Sequence, residues 1–204
     1  MSIQIGDEAV TCDSTIAGTI RFTGTDFEGC DGNAWVSLRS QSSTPGLGDV
    51  LYAVGDRGPA GGVVFYVTNG GLNGLEAAPA DQDGGSGVEW GCYGTSIAGA
   101  DGTAVGTGAQ NTADILAGCT ESGTAAEIAA EYEYGGYGDW FLPSKDELDE
   151  LYQNRDVVGG FANNSYWSST EDDSYGAWAQ YFYNGYQNYN DKNDTLRVRA
   201  VRAF

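Results

Sequence analysis

The alternation of apolar and polar residues predicts two groups of strands with helices between them. An apolar run at 61–67, the turn sequence Asn69-Gly70-Gly71 and a second apolar segment at 74–79 predict a β-hairpin. Further strands are predicted at 88–90, 166–170, 177–183 and 196–204. Because strands come first, helices follow and strands return, the order predicts an α+β fold rather than a parallel sheet.

Three helices are predicted, at 111–117, at 124–133 and from residue 144 onward. The third has the clearest start, because Ser144 can cap the helix and Glu147 stands three residues later, as a capping box requires. Leu148, Leu151 and Tyr152 then recur at helical spacing. We therefore expect these three side chains to share one face of that helix.

The predicted strand at 177–183 alternates, and alternation assigns its side chains to two faces. The face expected to point inward carries Trp178, Gln180 and Phe182. The face expected to point outward carries Ala177, Ala179, Tyr181 and Tyr183.

The first part of the chain reads as a separate module. Short strands are predicted at 19–22 and 34–38, and the turn-rich segment 23–33 between them predicts a hairpin. A serine-, proline- and glycine-containing stretch then reads as a linker. The predicted organisation is a disulfide-stapled β module at 1–44, a linker at 45–55 and a main domain at 56–204.

The four cysteines, Cys12, Cys30, Cys92 and Cys119, allow three pairings. We favour Cys12–Cys30 and Cys92–Cys119, because each pair stays within one segment; four free thiols in a cytosolic protein are the alternative. Disulfides imply an extracellular, cell-surface or virion protein. No signal-peptide pattern is present in this numbering, so export needs a leader outside it or another route.

Charge and composition exclude several functions. The 204 residues include 9 Lys and Arg against 29 Asp and Glu, a net charge of −20, which disfavours nucleic acid and anionic membranes. No apolar run is long enough to span a membrane. The lack of histidine removes Ser-His-Asp chemistry and imidazole zinc sites, so we expect no enzyme. Arg197, Arg199 and Arg202 are expected to meet carboxylates, or else to lie on a solvated edge strand.

Residues 172–194 have the composition of an antibody-like binding surface, in which tyrosine supplies rigid contact area and small polar residues supply hydrogen bonds. A polar, aromatic-rich loop without a ligand is the alternative. The predicted ligand-binding residues are Asp172, Asp173, Ser174, Tyr175, Ala177, Ala179, Tyr181, Tyr183, Tyr186, Asn188, Tyr189, Asn190, Asp191, Asn193 and Asp194. The predicted scaffold of this site consists of Trp167, Trp178, Gln180, Phe182 and Gln187.

Several motifs occur in one order along the chain. The most specific are Asp139-Trp140-Phe141-Leu142-Pro143-Ser144, Tyr166-Trp167-Ser168-Ser169-Thr170-Glu171 and Arg197-Val198-Arg199-Ala200-Val201-Arg202. From about residue 55 to 204 the chain resembles the C-terminal domain of the Legionella collagen-like adhesin and its relatives. The resemblance implies a C-type-lectin-like fold, in which helices flank a small mixed β core, and the Cys92–Cys119 pairing fits it. It is also compatible with a homotrimer.

A subset of this family is similar to the variable proteins of diversity-generating retroelements, in which adenines of asparagine codons are randomised in a C-terminal tract. Tyrosine, aspartate, serine, alanine and glycine are reachable from such codons. Trp178, Gln180, Gln187 and Lys192 are not, so they would be fixed scaffold. The resemblance implies a non-catalytic receptor-binding or adhesin protein whose ligand is a protein or glycan on another cell. The sulfated polysaccharides associated with the family do not suit so acidic a chain.

Other interpretations of the sequence are also possible. Asp81-Gln82-Asp83-Gly84 and the oxygen-rich segment 188–194 suit a structural Ca²⁺, although neither matches the twelve-residue calcium loop. No cofactor is otherwise expected. Glu171-Asp172-Asp173 is a carboxylate cluster of the kind that glycosidases use, but adjacent acids usually form a solvated turn. A fixed-ligand carbohydrate-binding adhesin and a structural fibre-tip or oligomerisation module are the remaining alternatives.

Overall fold

The computed structural model describes residues 3–5, 11, 13–15, 20–22, 27–30, 33, 35–37 and 50–204. The chain divides into two compact units, residues 1–46 and 47–204. Residues 45–49 of the predicted linker lie outside the described residues. Its last residues are hydrogen-bonded within the second unit, where the N–H of Tyr52 donates to Gly71 O at 2.9 Å and that of Gly55 to Val64 O at 2.8 Å.

The first unit contains a sheet of short strands. Its strands, in spatial as well as chain order, are β1 (Ile3–Ile5), β2 (Ile20–Phe22), β3 (Phe27–Cys30) and β4 (Trp35–Ser37). β1 runs parallel to β2, and the other pairs are antiparallel. The predicted hairpin of 19–22 with 34–38 is wrong in its pairing, because the segment between them supplies β3, which pairs with both. Cys30 is disulfide-bonded, but Cys12 lies outside the described residues, so their pairing stays a prediction.

The second unit begins with the predicted hairpin, which is confirmed. β5 (Val63–Thr68) pairs antiparallel with β6 (Asn73–Ala77), and β10 (Val201–Ala203) adds to the other side of β6. The turn between β5 and β6 requires glycine at Gly71, where φ is +96° and an added Cβ would stand 2.3 Å from Tyr52 O. Position 71 of this turn therefore requires glycine.

A second antiparallel sheet carries the tyrosine-rich tract. Its strands are β7 (Ser165–Glu171), β8 (Gly176–Tyr181) and β9 (Gln187–Asp191), in the order β7-β8-β9. The predicted strand 88–90 is reduced to an isolated bridge between Val88 and Leu196. The predicted closing strand is likewise shorter, because before β10 the chain makes only isolated bridges at Leu196 and Arg197.

Four helices lie between the strands of residues 50–204: α1 (Gly108–Gly118), α2 (Ala125–Ala130), α3 (Lys145–Gln153) and α4 (Arg155–Val158). The capping box of α3 is confirmed, since the Ser144 side chain accepts from Glu147 N and the Glu147 carboxylate accepts from Ser144 N. α2 is shorter than predicted, because Thr124 is its N-cap and the helix ends at Glu131. Pattern reasoning missed α4. No helix in the described part of the chain is long and apolar enough to cross a membrane.

Two hydrophobic clusters form the core of the second unit. One contains Trp90 and Trp167 with Ala177 and Ala179 of β8, and the other contains Phe65 and the α3 leucines with Tyr166 and Phe182. β7 therefore contributes side chains to both clusters, whereas β8 contributes to the first and Phe182, just after it, to the second. Over residues 50–204 the second unit is thus an α+β arrangement of two small antiparallel sheets and four helices, in which β8 packs on the first cluster.

Candidate ligand-binding surface

The tract 172–194 forms a hairpin that ends the second sheet. β8 is its inner strand and β9 its edge strand, with Trp178 opposite Tyr189 and Gln180 opposite Gln187. At the turn before β8, the Asp173 carboxylate accepts from the N–H groups of Tyr175 and Gly176 at 2.7 and 2.8 Å. These hydrogen bonds hold the pKa of Asp173 below its usual 3.8.

Four tyrosines of the tract expose more than half of their side chains. Tyr175, Tyr183, Tyr186 and Tyr189 are 53%, 54%, 59% and 55% exposed. The less exposed Tyr181 stacks on Tyr183 with ring centroids 5.5 Å apart and lies 6.0 Å from the ring of Tyr186. Tyrosine is enriched at protein interfaces relative to the rest of the surface, so a cluster of exposed tyrosines is a candidate binding surface.

The tyrosines surround the edge strand rather than line one face. Tyr189 shares a face of the sheet with Trp178, whereas the Tyr181 hydroxyl lies 3.2 Å from Asn190 Oδ1 on the other face. At the far end, Tyr93 packs edge-on against Tyr175 with centroids 5.2 Å apart and is itself 47% exposed. Sequence reasoning missed Tyr93 as a surface residue, since its partner is distant in the chain. We call Tyr93, Tyr175, Tyr181, Tyr183, Tyr186 and Tyr189 the tyrosine surface.

The residues predicted as scaffold fasten the tract to its surroundings. Gln180 is fully buried, and its amide donates to Asp149 Oδ1 at 3.1 Å and to Gly185 O at 2.8 Å. Gln187 donates to Lys145 O at 2.8 Å, and the Lys145 ammonium lies 3.4 Å from the ring centroid of Trp178. Each of these contacts joins the tract to α3 or to its own turn.

The two other scaffold residues anchor the sheet in the core. The Trp167 indole is fully buried and donates to Val88 O at 2.9 Å. Phe182 is 6% exposed and packs against Tyr166 and Phe161, with centroids 4.4 and 4.7 Å away. The turn between β8 and β9 is therefore held from below by an aromatic cluster, while the tyrosines on it face solvent.

Lys192 closes the tract at its other end. Its side chain is fully buried and lies 2.5 Å from Glu171 Oε1 and 2.8 Å from Thr95 O, and its ammonium is 4.6 Å from the ring centroid of Trp90. Its backbone N–H donates to Tyr175 O. A buried cation with a carboxylate, a carbonyl and an aromatic face around it is fully partnered. Lys192 thus ties the end of β9 to β7 and to the loop before α1.

The expectation that Ala177 and Ala179 point to solvent is wrong. They are 0% and 1% exposed and belong to the first hydrophobic cluster. The alternation predicted that this face of the strand is exposed, but it packs on the first hydrophobic cluster. Neither alanine side chain is available at the surface. The other predicted ligand-binding side chains are half-buried or exposed.

Comparison with protein families identifies the main unit. The family model of the Lcl C-terminal domain matches residues 82–202, which include the whole tract. The chain belongs to the Lcl C-terminal domain family. No curated protein matches the chain. The resemblance drawn from the sequence motifs is thereby confirmed.

The Lcl C-terminal domain carries the disulfide Cys92–Cys119, as the sequence predicted. These two cysteines and Glu121 are the group of the described residues whose ligand atoms lie close enough together for a metal ion. The two sulfurs are bonded to each other, however, and the Glu121 carboxylate accepts from Cys92 N at 2.7 Å. These three residues therefore stabilise the loop that carries Tyr93.

The arginines near the end of the Lcl C-terminal domain meet carboxylates, as predicted. Arg199 lies 2.6 Å from Asp81, Arg197 lies 3.0 Å from Asp83, and Arg202 contacts both Glu76 and Asp139. A solvated edge strand is therefore wrong for this segment. The residues suggested as calcium ligands, Asp81 and Asp83, are already held by these arginines, by the Tyr166 hydroxyl and by Gly87 N.

Proposed function

We propose that this chain is a non-catalytic receptor-binding or adhesin domain that displays residues 172–194 on a C-type-lectin-like scaffold. Membership of the Lcl C-terminal domain family indicates an adhesin-like surface domain. Two small antiparallel sheets and four helices in residues 50–204 are compatible with the lectin-like fold. The ligand would be a protein or glycan outside the cell, and the aromatic side chains would supply most of the binding energy.

One observation carries the proposal. Exposed tyrosines stand on a strand edge whose backbone is fixed by fully buried polar side chains, Gln180 and Lys192. Burying a glutamine amide and a lysine ammonium is costly unless each is partnered. The Lys192 ammonium is engaged by Glu171 and by Thr95 O, and the Gln180 amide nitrogen donates two hydrogen bonds, although the Gln180 amide oxygen has no partner among the described residues. This combination gives a rigid platform with adaptable contact groups, as in antibody binding sites.

We further propose that a retroelement diversifies the tract. Residues that an altered asparagine codon cannot encode are Trp178, Gln180, Gln187 and Lys192, and each of them contacts the framework. Residues that such a codon can encode are half-buried or exposed, apart from Ala177, Ala179, Phe182 and the glycine at the start of β8. The residues predicted to be fixed thus contact the framework, and most residues predicted to vary lie at the surface. This agreement supports diversification of the tract.

Population sequencing of the 3′ end of the gene tests diversification. We expect replacements at exposed positions such as Tyr183, Tyr186 and Tyr189, and invariance at the four framework residues. Because Ala177 and Ala179 are buried, replacements there should be confined to small side chains. A uniform tract would remove diversification and leave a fixed-ligand adhesin.

A binding experiment tests the site itself. The chain, displayed on beads, would be screened against glycan and cell-surface protein arrays together with a variant that replaces Tyr175, Tyr183, Tyr186 and Tyr189 by alanine. The matched control replaces Tyr134 and Tyr137, which are 37% and 38% exposed outside the tract. We expect the tract variant to lose array ligands while the control retains them. The opposite pattern would contradict the proposed site.

A further inference from the structure

The exposed charge of the tyrosine surface is of one sign. Asp172, Asp173, Asp191 and Asp194 are all exposed, and in the described part of the chain no ion pair involves any of them. The tract's one cation, Lys192, is fully buried and paired with Glu171. The charge that the tract presents to a ligand therefore comes from its four aspartates.

The neighbouring helix does not offset this charge. α3 borders the tract and carries Asp146, which is exposed, and Asp149, which accepts from Gln180. Its lysine, Lys145, has its ammonium directed onto the ring of Trp178 at 3.4 Å. Elsewhere in residues 50–204, Arg197, Arg199 and Arg202 are committed to carboxylates. Arg155 of α4 donates to Tyr152 O and stacks on the Tyr152 ring, and Arg57 donates to Gly61 O.

The acidic and aromatic groups are interleaved. Tyr175 lies two residues after Asp173 and packs on Tyr93. Its carbonyl accepts from Lys192 N, between Asp191 and Asp194. The Asn190 side chain connects the two ends of the surface, since it contacts both the Tyr181 hydroxyl and Asp194. A carboxylate beside an exposed aromatic ring suits a lysine or arginine, which gains both charge pairing and a cation–π contact.

We propose that the tyrosine surface takes a cationic protein segment, meaning a stretch of a partner's surface that presents lysine or arginine side chains. The proposal rests on the proposed function, because it names the partner class of the same site. Phosphate-, sulfate- and sialate-bearing ligands would be repelled. Uncharged glycans would stack on the tyrosines without using the aspartates. Only a basic partner uses both features.

Immobilised random peptides test the charge preference. Three peptide pools of about twelve residues share the same uncharged residues and differ only in net charge, which is about +4, zero or −4. Binding of the full chain is measured at about 50 and 300 mM NaCl, where screening differs strongly. We expect the basic pool to bind at least about tenfold more tightly than the neutral pool at low salt, and the preference to shrink at high salt.

Two matched variants separate the local surface from the bulk charge. The site variant is Asp172→Asn, Asp173→Asn, Asp191→Asn and Asp194→Asn; asparagine oxygens can still accept the turn hydrogen bonds. The control variant is Asp101→Asn, Glu131→Gln, Glu133→Gln and Asp156→Asn, four exposed acids elsewhere on the second unit. Both variants have the same net charge. We expect only the site variant to lose the preference for basic peptides.

The outcomes are distinguishable. An equal loss in both variants would show attraction by net charge alone and would overturn the inference. Equal binding of all three pools, abolished by the four tyrosine-to-alanine changes, would overturn the inference but leave the proposed function intact. Basic peptides that still bind the tyrosine variant at full strength would overturn both, since the peptides would then bind elsewhere.

Discussion

Two regions of the molecule are rich in carboxylates, but the carboxylates are buried and paired in one region and exposed in the other. Around the last arginines, Glu76, Asp81 and Asp83 are largely buried, and each has a guanidinium within 3.0 Å. In the tract 172–194, four aspartates are exposed and the one lysine is turned inward. The first region is neutralised and holds the sheets together. The carboxylates of the second region remain accessible to solvent or to a partner. Carboxylates that stabilise the fold are therefore distinct from carboxylates that can bind a ligand.

The strongest test of this comparison removes the most buried guanidinium. Arg199 donates to Asp81 and to the carbonyls of Ala78, Gly159 and Gly160. Arg199→Met leaves Asp81 without its cation, so we expect a loss of about 3–5 kcal/mol in the free energy of unfolding, measured by urea denaturation. The control Arg57→Met removes an exposed arginine and should cost less than about 0.5 kcal/mol. Equal effects would contradict the structural role.

The next test removes the one buried cation of the tract. Lys192→Met leaves Glu171 buried without its partner, and we expect a loss of about 3 kcal/mol in unfolding free energy. The double variant Lys192→Met with Glu171→Gln removes both charges, so it should recover part of that loss. If the double variant were as unstable as the single one, the ion pair would not be the reason that Lys192 is needed.

Local signals in the sequence were read correctly. The capping box at Ser144 and Glu147 depends on residues three apart, and the hairpin of β5 and β6 depends on a short turn, so neither requires knowledge of the fold. The pairing of Arg197, Arg199 and Arg202 with carboxylates could be predicted, because the chain has few positive and many negative charges. The particular partners could not be predicted, because Asp81 and Asp83 are more than a hundred residues away in the sequence.

The errors in the candidate site come from contacts between residues that are distant in the sequence. Alternation shows which residues share a face, but the elements that pack against that face decide whether it is covered. The alanine face of β8 packs on the first hydrophobic cluster, so Ala177 and Ala179 are buried although they alternate with Trp178. Tyr93 was missed because its contact with Tyr175 spans most of the domain. Both facts depend on tertiary contacts that no local pattern encodes.

A third test, with a smaller expected change in unfolding free energy, compares two pairs of tyrosines. Tyr134 packs against Trp140 and Tyr137 against the Arg202 guanidinium, with distances of 6.3 and 3.9 Å. Tyr134→Ala with Tyr137→Ala should cost about 1–2 kcal/mol of unfolding free energy, because packed rings are lost. Tyr183→Ala with Tyr186→Ala should cost less than about 0.5 kcal/mol, since those rings lie on the surface. Calorimetric melting of both pairs decides this, and a reversed order would mean that the tract tyrosines stabilise the fold.

The smallest expected effect is a shift in the pKa of one aspartate in each region, Asp139 beside Arg202 and Asp173 in the tract. The pKa values of Asp139 and Asp173 are both lowered, the first mainly by a hydrogen bond from Arg202 and the second by two backbone N–H groups. A lowered carboxylate pKa means that each group stabilises the fold above its unfolded pKa, and that this contribution is lost as pH falls through the lower folded value. Carbon-13 NMR titration should show both pKa values below 3.8.

The causes can be separated by one substitution. Arg202→Met should return the pKa of Asp139 toward its usual value, because its largest cause is removed, and should leave that of Asp173 unchanged. Asp173→Asn should keep the turn before β8, since an amide oxygen can accept from Tyr175 N, whereas Asp173→Ala should loosen it. A shift of Asp173 in the Arg202 variant would contradict the separation, because it would show that the arginine cluster also sets the charge of the tract.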